Sequence, residues 1–93
     1  MNTLYTGETI NKKIPKSCKK VLFISGPMEG NITVGREITA KYDYNTDILT
    51  VKSPSKLKAG NSMKYLFKDL ENLEEVDFSN LITRDVLSYE GLF

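Results

Sequence analysis

Hydrophobic positions fall at unequal spacings along the chain, and the spacings divide it. Over residues 1–19, Leu4, Tyr5, Ile10 and Ile14 stand scattered among polar residues and Pro15, and the segment leads into a basic cluster of Lys12, Lys13, Lys16, Lys19 and Lys20. That pattern predicts an extended, polar and basic arm. Val21-Leu22-Phe23-Ile24 is a short apolar run closed by Ser25-Gly26-Pro27, which predicts a buried strand. Gly30 and Gly35 bracket a second short extended piece over Asn31-Ile32-Thr33-Val34. Ile38, Ala40 and Tyr42 then alternate with Thr39, Lys41 and Asp43, the period of a half-exposed strand. Tyr44-Asn45-Thr46 has turn chemistry and Ile48-Leu49-Thr50-Val51 returns, so residues 37–52 read as a β-hairpin. Ser53-Pro54-Ser55 ends it, because proline cannot donate to a strand ladder.

The pattern changes after Ala59-Gly60. Asn61 or Ser62 caps a predicted short helix over Met63-Lys64-Tyr65-Leu66-Phe67-Lys68. Leu70, Leu73, Val76, Phe78 and Leu81 follow at steps that suit neither a helix nor a strand alone. They fit a turn, a very short strand over Val76-Asp77-Phe78, and a departing loop. A second short helix is predicted from about Asp85 to Leu92, capped by Thr83. The expected fold class is therefore α+β. A basic arm (1–19) leads into a single domain (20–93), made of a hairpin-containing cap (20–60) and a repeat-like unit with short helices (61–93).

Leu73-Glu-Glu-Val76-Asp-Phe78-Ser-Asn-Leu81 matches the L-x-x-L-x-L core of a leucine-rich repeat. Met63-Lys-Tyr-Leu-Phe67 before it, and Thr83-Arg-Asp-Val86 and Gly91-Leu-Phe93 after it, extend the match. Together these pieces resemble the repeat of the BspA-like bacterial surface proteins. Leu66-Phe67 returns as Leu92-Phe93, a spacing of 26 residues that suits one repeat unit. The hairpin ending Asp47-Ile-Leu-Thr-Val51 is similar to the β element that caps such arrays at their N-terminal end. Two positions depart from the pattern: Leu81 stands where ordinary leucine-rich repeats place asparagine, and Leu70 where a small residue or cysteine is common.

What the resemblance implies is a non-enzymatic protein-binding module. Glu75, Asp77 and Ser79 would flank the repeat strand on the concave side that repeat proteins offer to partners. A lone repeat turn cannot cover both its flat faces. The hairpin and Val21–Ile24 would cover one. On the other, Val86, Leu87, Leu92 and Phe93 would stay partly in water, each large side chain forgoing roughly 1.5–3 kcal/mol of burial. That end is expected to meet another protein, either a second copy in a homodimer or a target.

Composition narrows the classes further. Ninety-three residues, 40 % hydrophobic and 27 % charged, make one folded domain. No apolar run approaches the ~18 residues of a membrane-spanning helix, so no membrane partner is expected. There is no histidine and only one cysteine, Cys18. An internal disulfide and the usual His-based catalytic pairs are thereby excluded. Neither a catalytic residue, a metal site nor a cofactor is expected. Gly26-Pro-Met-Glu-Gly30 lacks the Lys-Ser/Thr of a phosphate loop. Glu71, Glu74, Glu75 and Asp77 cluster without implying the cleft that glycoside hydrolysis needs, or a calcium loop. Asn31-Ile-Thr33 is a glycosylation sequon only in a eukaryotic secretory setting. Cys18, lacking a partner base, is expected to be inert.

Net charge is +1 but unevenly spread. Residues 1–60 carry ten basic and five acidic side chains, and residues 61–93 carry three basic and seven acidic. Such a dipole attracts partners, or copies head to tail. Two alternatives follow. One is nucleic-acid binding through phosphate contacts from Lys12, Lys13, Lys16, Lys19 and Lys20. The other is a small mobile-element-encoded, anti-CRISPR-like inhibitor that occludes a host nucleoprotein complex. Met1–Lys20 holds no apolar signal segment, so a complete chain is expected in the cytoplasm and a fragment of a secreted repeat protein at the cell surface.

Overall fold

The computed structural model describes residues 2–93. In chain order the elements are β1 (Asn2–Thr3), α1 (Gly7–Asn11), β2 (Lys20–Ser25), β3 (Ile32–Gly35), β4 (Ile38–Asp43), β5 (Ile48–Ser53), β6 (Leu57–Lys58), β7 (Glu75–Asp77) and β8 (Leu81–Ile82). Among the described residues the strands form a mixed sheet ordered β3-β4-β5-β2-β7 and a smaller parallel one ordered β1-β6-β8. Among the described residues the fold is mostly β, with one short helix.

Pairing registers show how the chain is wound. Asn2 faces Leu57 across β1 and β6, and Lys20 faces Glu75 across β2 and β7, both in parallel and both 55 residues apart. Residues 57–77 therefore lie as a second coil on residues 2–25. A third coil begins at β8, where Leu81 faces Leu57, and continues through a parallel bridge between Ser62 and Ser88. Coils two and three are thus offset by 24 to 26 residues. The longer first offset arises because the excursion β3-β4-β5 is inserted between the first two coils.

That excursion is the hairpin the alternation predicts, β4 against β5, with β3 added on the outer side. Its four-residue turn closes through the Asp47 N–H donating to the Asp43 carbonyl at 2.7 Å, with Asp47 at φ 59°, a left-handed state that aspartate tolerates. The excursion packs onto the first coil. β5 pairs β2 in parallel along all six residues, and on the far side Leu4 bridges Gly35 while the Tyr5 N–H donates to the Val34 carbonyl at 2.9 Å. Three strands thus lie across the face of the first coil that points away from the second.

Residues 2–19 are no detached arm. Leu4, Ile10, Ile14 and Cys18 are all buried in the common core with Val21, Phe23 and Leu57. The Asn11 side-chain amide donates to the Leu66 and Lys68 carbonyls at 3.0 and 2.9 Å, holding coil one to coil two. Gly7 is required at that seam, since a Cβ there would stand 2.5 Å from the Lys64 carbonyl oxygen. The expected division at residue 60 shifts too, because the second coil opens at Leu57.

Neither C-terminal helix forms. Over 63–68 alternate amides bond across the stack: the Met63, Tyr65 and Phe67 N–H groups donate to the Ser88, Glu90 and Leu92 carbonyls. The amides of Leu66, Lys68 and Leu70 close tight turns on Met63, Tyr65 and Phe67. Inter-coil bonding takes the donors that an α-helix would use, and Tyr65 and Asp69 sit at positive φ. Tertiary pairing overrides a weak helical preference. Residues 85–92 are the acceptors of the same ladder, so they too run as turns.

Candidate functional site

The two ends of the stack differ in kind. At the hairpin end, β3 is bonded to residues 4 and 5, Lys13 Nζ donates to the Thr33 carbonyl at 2.6 Å, and the Tyr42 hydroxyl reaches Ser17 Oγ at 2.7 Å and Asp47 Oδ1 at 2.9 Å. At the other end, β7 and β8 are the last strands of their sheets and have no partner on their outer sides among the described residues.

The third coil carries that end's exposed apolar side chains. Leu87 is 85 % exposed, Phe93 73 % and Tyr89 49 %. Val86 and Leu92 are half-buried and pack on the core. Phe93 stacks on Phe67 with ring centroids 5.6 Å apart, so the 26-residue spacing seen in the sequence is the distance between stacked rings. Phe67, Leu70, Leu73 and Phe93 line a notch of about 280 Å³, with Asp69 and Glu71 at its rim. Glycine is needed where coils two and three touch: Gly91 has φ +58°, and a Cβ would stand 2.3 Å from the Tyr65 ring.

Glu75 and Asp77 lie on β7 with Val76 directed inward between them. Lys20 Nζ pairs with Glu75 Oε2 at 2.9 Å. Asp77 Oδ1 accepts from the Ser79 hydroxyl at 2.6 Å and the Ser79 N–H at 2.9 Å. Those two bonds hold the Asp77 carboxyl below its ordinary pKa. Asp77 and Ser79 therefore shape the turn after β7 as well as lining its edge. Asp85 pairs with Lys58, which holds its carboxyl low, and Lys64 pairs with Glu90 at 3.4 Å, which raises the ammonium pKa.

The structure brings Phe93 beside the acidic segment that leads into β7, while Val86 and Leu92 support the same coil from inside. Sequence reasoning missed Tyr89 and the notch. The offset between the first two coils does leave a trace in the sequence: Val21-x-Phe23 recurs as Val76-x-Phe78, and the rings of Phe23 and Phe78 stack at 6.2 Å.

Three of the five lysines of the other candidate site make structural contacts. Lys13 is bonded to Thr33 and lies 5.4 Å from the Tyr5 ring centroid, Lys19 stands 4.0 Å from Asp47, and Lys20 holds Glu75. Lys12 and Lys16 are exposed and make no ion pair among the described residues. Cys18 is fully buried; desolvation pushes its thiol pKa up, which makes it a poor nucleophile. No helix is long and apolar enough to cross a membrane among the described residues.

No protein-family model matches the chain, and no curated protein or solved structure matches it significantly.

Proposed function

We propose that the chain is a non-enzymatic protein-binding module that docks its partner on the open end of the coil stack. The observation that carries this reading is the contrast between ends: one face of the stack is roofed by three strands, and the opposite face leaves two strand edges and three large apolar side chains in water. Unpaired strand edges and exposed apolar groups are costly in isolation and are what a protein partner covers. The absence of histidine and the burial of the one thiol also favour binding over catalysis. The resemblance to BspA-like repeats agrees with it, since repeat proteins bind through surfaces made by stacked coils.

The test is capture from native lysate by the immobilised chain, identification of the captured protein, and reconstitution with that protein purified. Leu87→Asp combined with Phe93→Asp is expected to weaken the reconstituted complex at least tenfold, because each large side chain is worth roughly 1.5–3 kcal/mol when buried. Equal retention by the double variant would reject the open end as the contact surface.

A further inference from the structure

The open strand edge has a chemistry of its own, and it specifies the partner. Resting on the reading above, we propose that β7 and the adjoining notch accept an extended protein segment bearing basic and aliphatic side chains, added beside β7 as a further strand. β7 ends the larger sheet, so its outer backbone groups can take such a strand. The notch beside it, about 280 Å³ and lined by Phe67, Leu70, Leu73 and Phe93, has room for an aliphatic side chain.

Charge decides which segment fits. Asp69 and Glu71 line the notch and Glu74 immediately precedes β7; all three are exposed and make no ion pair among the described residues. A strand carrying acidic residues would be repelled there and a basic one drawn in. The molecule already shows the arrangement on the inner side of the same strand. There β2 lies parallel to β7, Lys20 pairs with Glu75 at 2.9 Å, and the Lys19 carbonyl accepts from the N–H groups of Glu74 and Glu75 at 2.8 and 3.2 Å. Behind those lysines come Val21 and Phe23, directed to the core. A partner segment with the same sequence of charges followed by apolar residues would repeat on the outer side what β2 does on the inner one.

The probe is therefore a fluorescein-labelled peptide of residues 16–25 of this chain with Cys18→Ser, followed by fluorescence anisotropy against the intact protein. Binding is expected at 50 mM salt and should weaken several-fold at 300 mM. A charge-reversed peptide with all three lysines changed to glutamate should bind at least tenfold more weakly. Glu71→Lys with Glu74→Lys should lose at least tenfold in affinity, while Glu37→Lys, in the turn between β3 and β4 at the opposite edge of the sheet, leaves it unchanged. Both sites are exposed, and circular dichroism checks that both variants stay folded. Equal binding of the two peptides, no binding at low salt, or full binding by the double variant would overturn the proposal. So would sedimentation showing that copies of the chain associate through this edge in place of the peptide. A peptide that fails while Leu87→Asp/Phe93→Asp still abolishes capture would reject the basic chemistry alone. Equal capture by that variant would reject the docking surface itself.

Discussion

The hairpin end and the open end of this molecule are built from the same materials and finished differently. At the hairpin end Val34 and Ile38 are fully buried and every strand has a neighbour or a bridge. At the open end Leu87 and Phe93 project into water beside strands with a free side. Stacked coils gain stability from their neighbours, so an outermost coil with one neighbour is held less firmly than an inner coil with two. The difference is one of finish: the roofed end encloses its apolar side chains, and the open end leaves strand edges and large apolar side chains in water.

Substitutions at the two ends should therefore diverge. Ile38→Ala empties a fully buried position under the roof and is expected to cost about 2–5 kcal/mol in chemical denaturation. Leu87→Ala at the open end should stay within about 0.5 kcal/mol of the parent. Comparable costs at both would break the contrast.

Glycine positions give the next largest effects. A Cβ at Gly35 would meet the Thr3 carbonyl oxygen at 2.6 Å and Ile38 Cδ1 at 2.8 Å, so Gly35→Ala must part β3 from the first coil. We expect a loss of about 1–3 kcal/mol, of the size that overpacking imposes. Gly91→Ala meets only the Tyr65 ring, a side chain able to swing away, and retains a left-handed backbone penalty of roughly 1–2 kcal/mol. Its effect should stay confined to coil three, read as altered Tyr65 ring signals with little change at β4.

Acid should loosen the open end. Asp77 is held low by Ser79 and Asp85 by Lys58. A carboxyl whose pKa is depressed by folding contributes stability above its ordinary value of 3.8, and loses it as pH falls through the folded value. Signals of Lys58 and residues 85–88 should therefore begin to shift below about pH 3.8. Asp85→Asn should remove that part of the pH dependence, and an unchanged titration would contradict the assignment.

How much was legible in the sequence follows from the range of each signal. Strand β2 and the β4–β5 hairpin announce themselves locally, through apolar runs, alternation and turn residues. The short strand at Val76 and the Phe67–Phe93 spacing were also readable, because they belong to coils contiguous in the chain. The mixed, mostly β character agrees loosely with the expected α+β class. Residues 2–19 were not legible as a coil, since Leu4, Ile10, Ile14 and Cys18 are buried in a core completed by elements far along the chain, among them the inserted hairpin and the second coil. The absence of helices over 63–68 and 85–92 was hidden for a related reason: those amides bond to each other's segment, and no local pattern records it. Of the candidate site, Phe93 and the acidic run were visible as residue types. Their meeting at one notch depends on the stacking of the coils.

Site-resolved amide hydrogen exchange on the isolated chain tests the contrast between the ends most directly. Local stability governs exchange, so amides of β2, β4 and β5 should be the slowest. The inter-coil amides of Met63, Tyr65, Phe67 and Leu87 should exchange at least about tenfold faster, a gap of roughly 1.4 kcal/mol in opening free energy. Uniform protection from β4 through Leu87 would contradict it, showing that the third coil is as firmly held as the roofed first one.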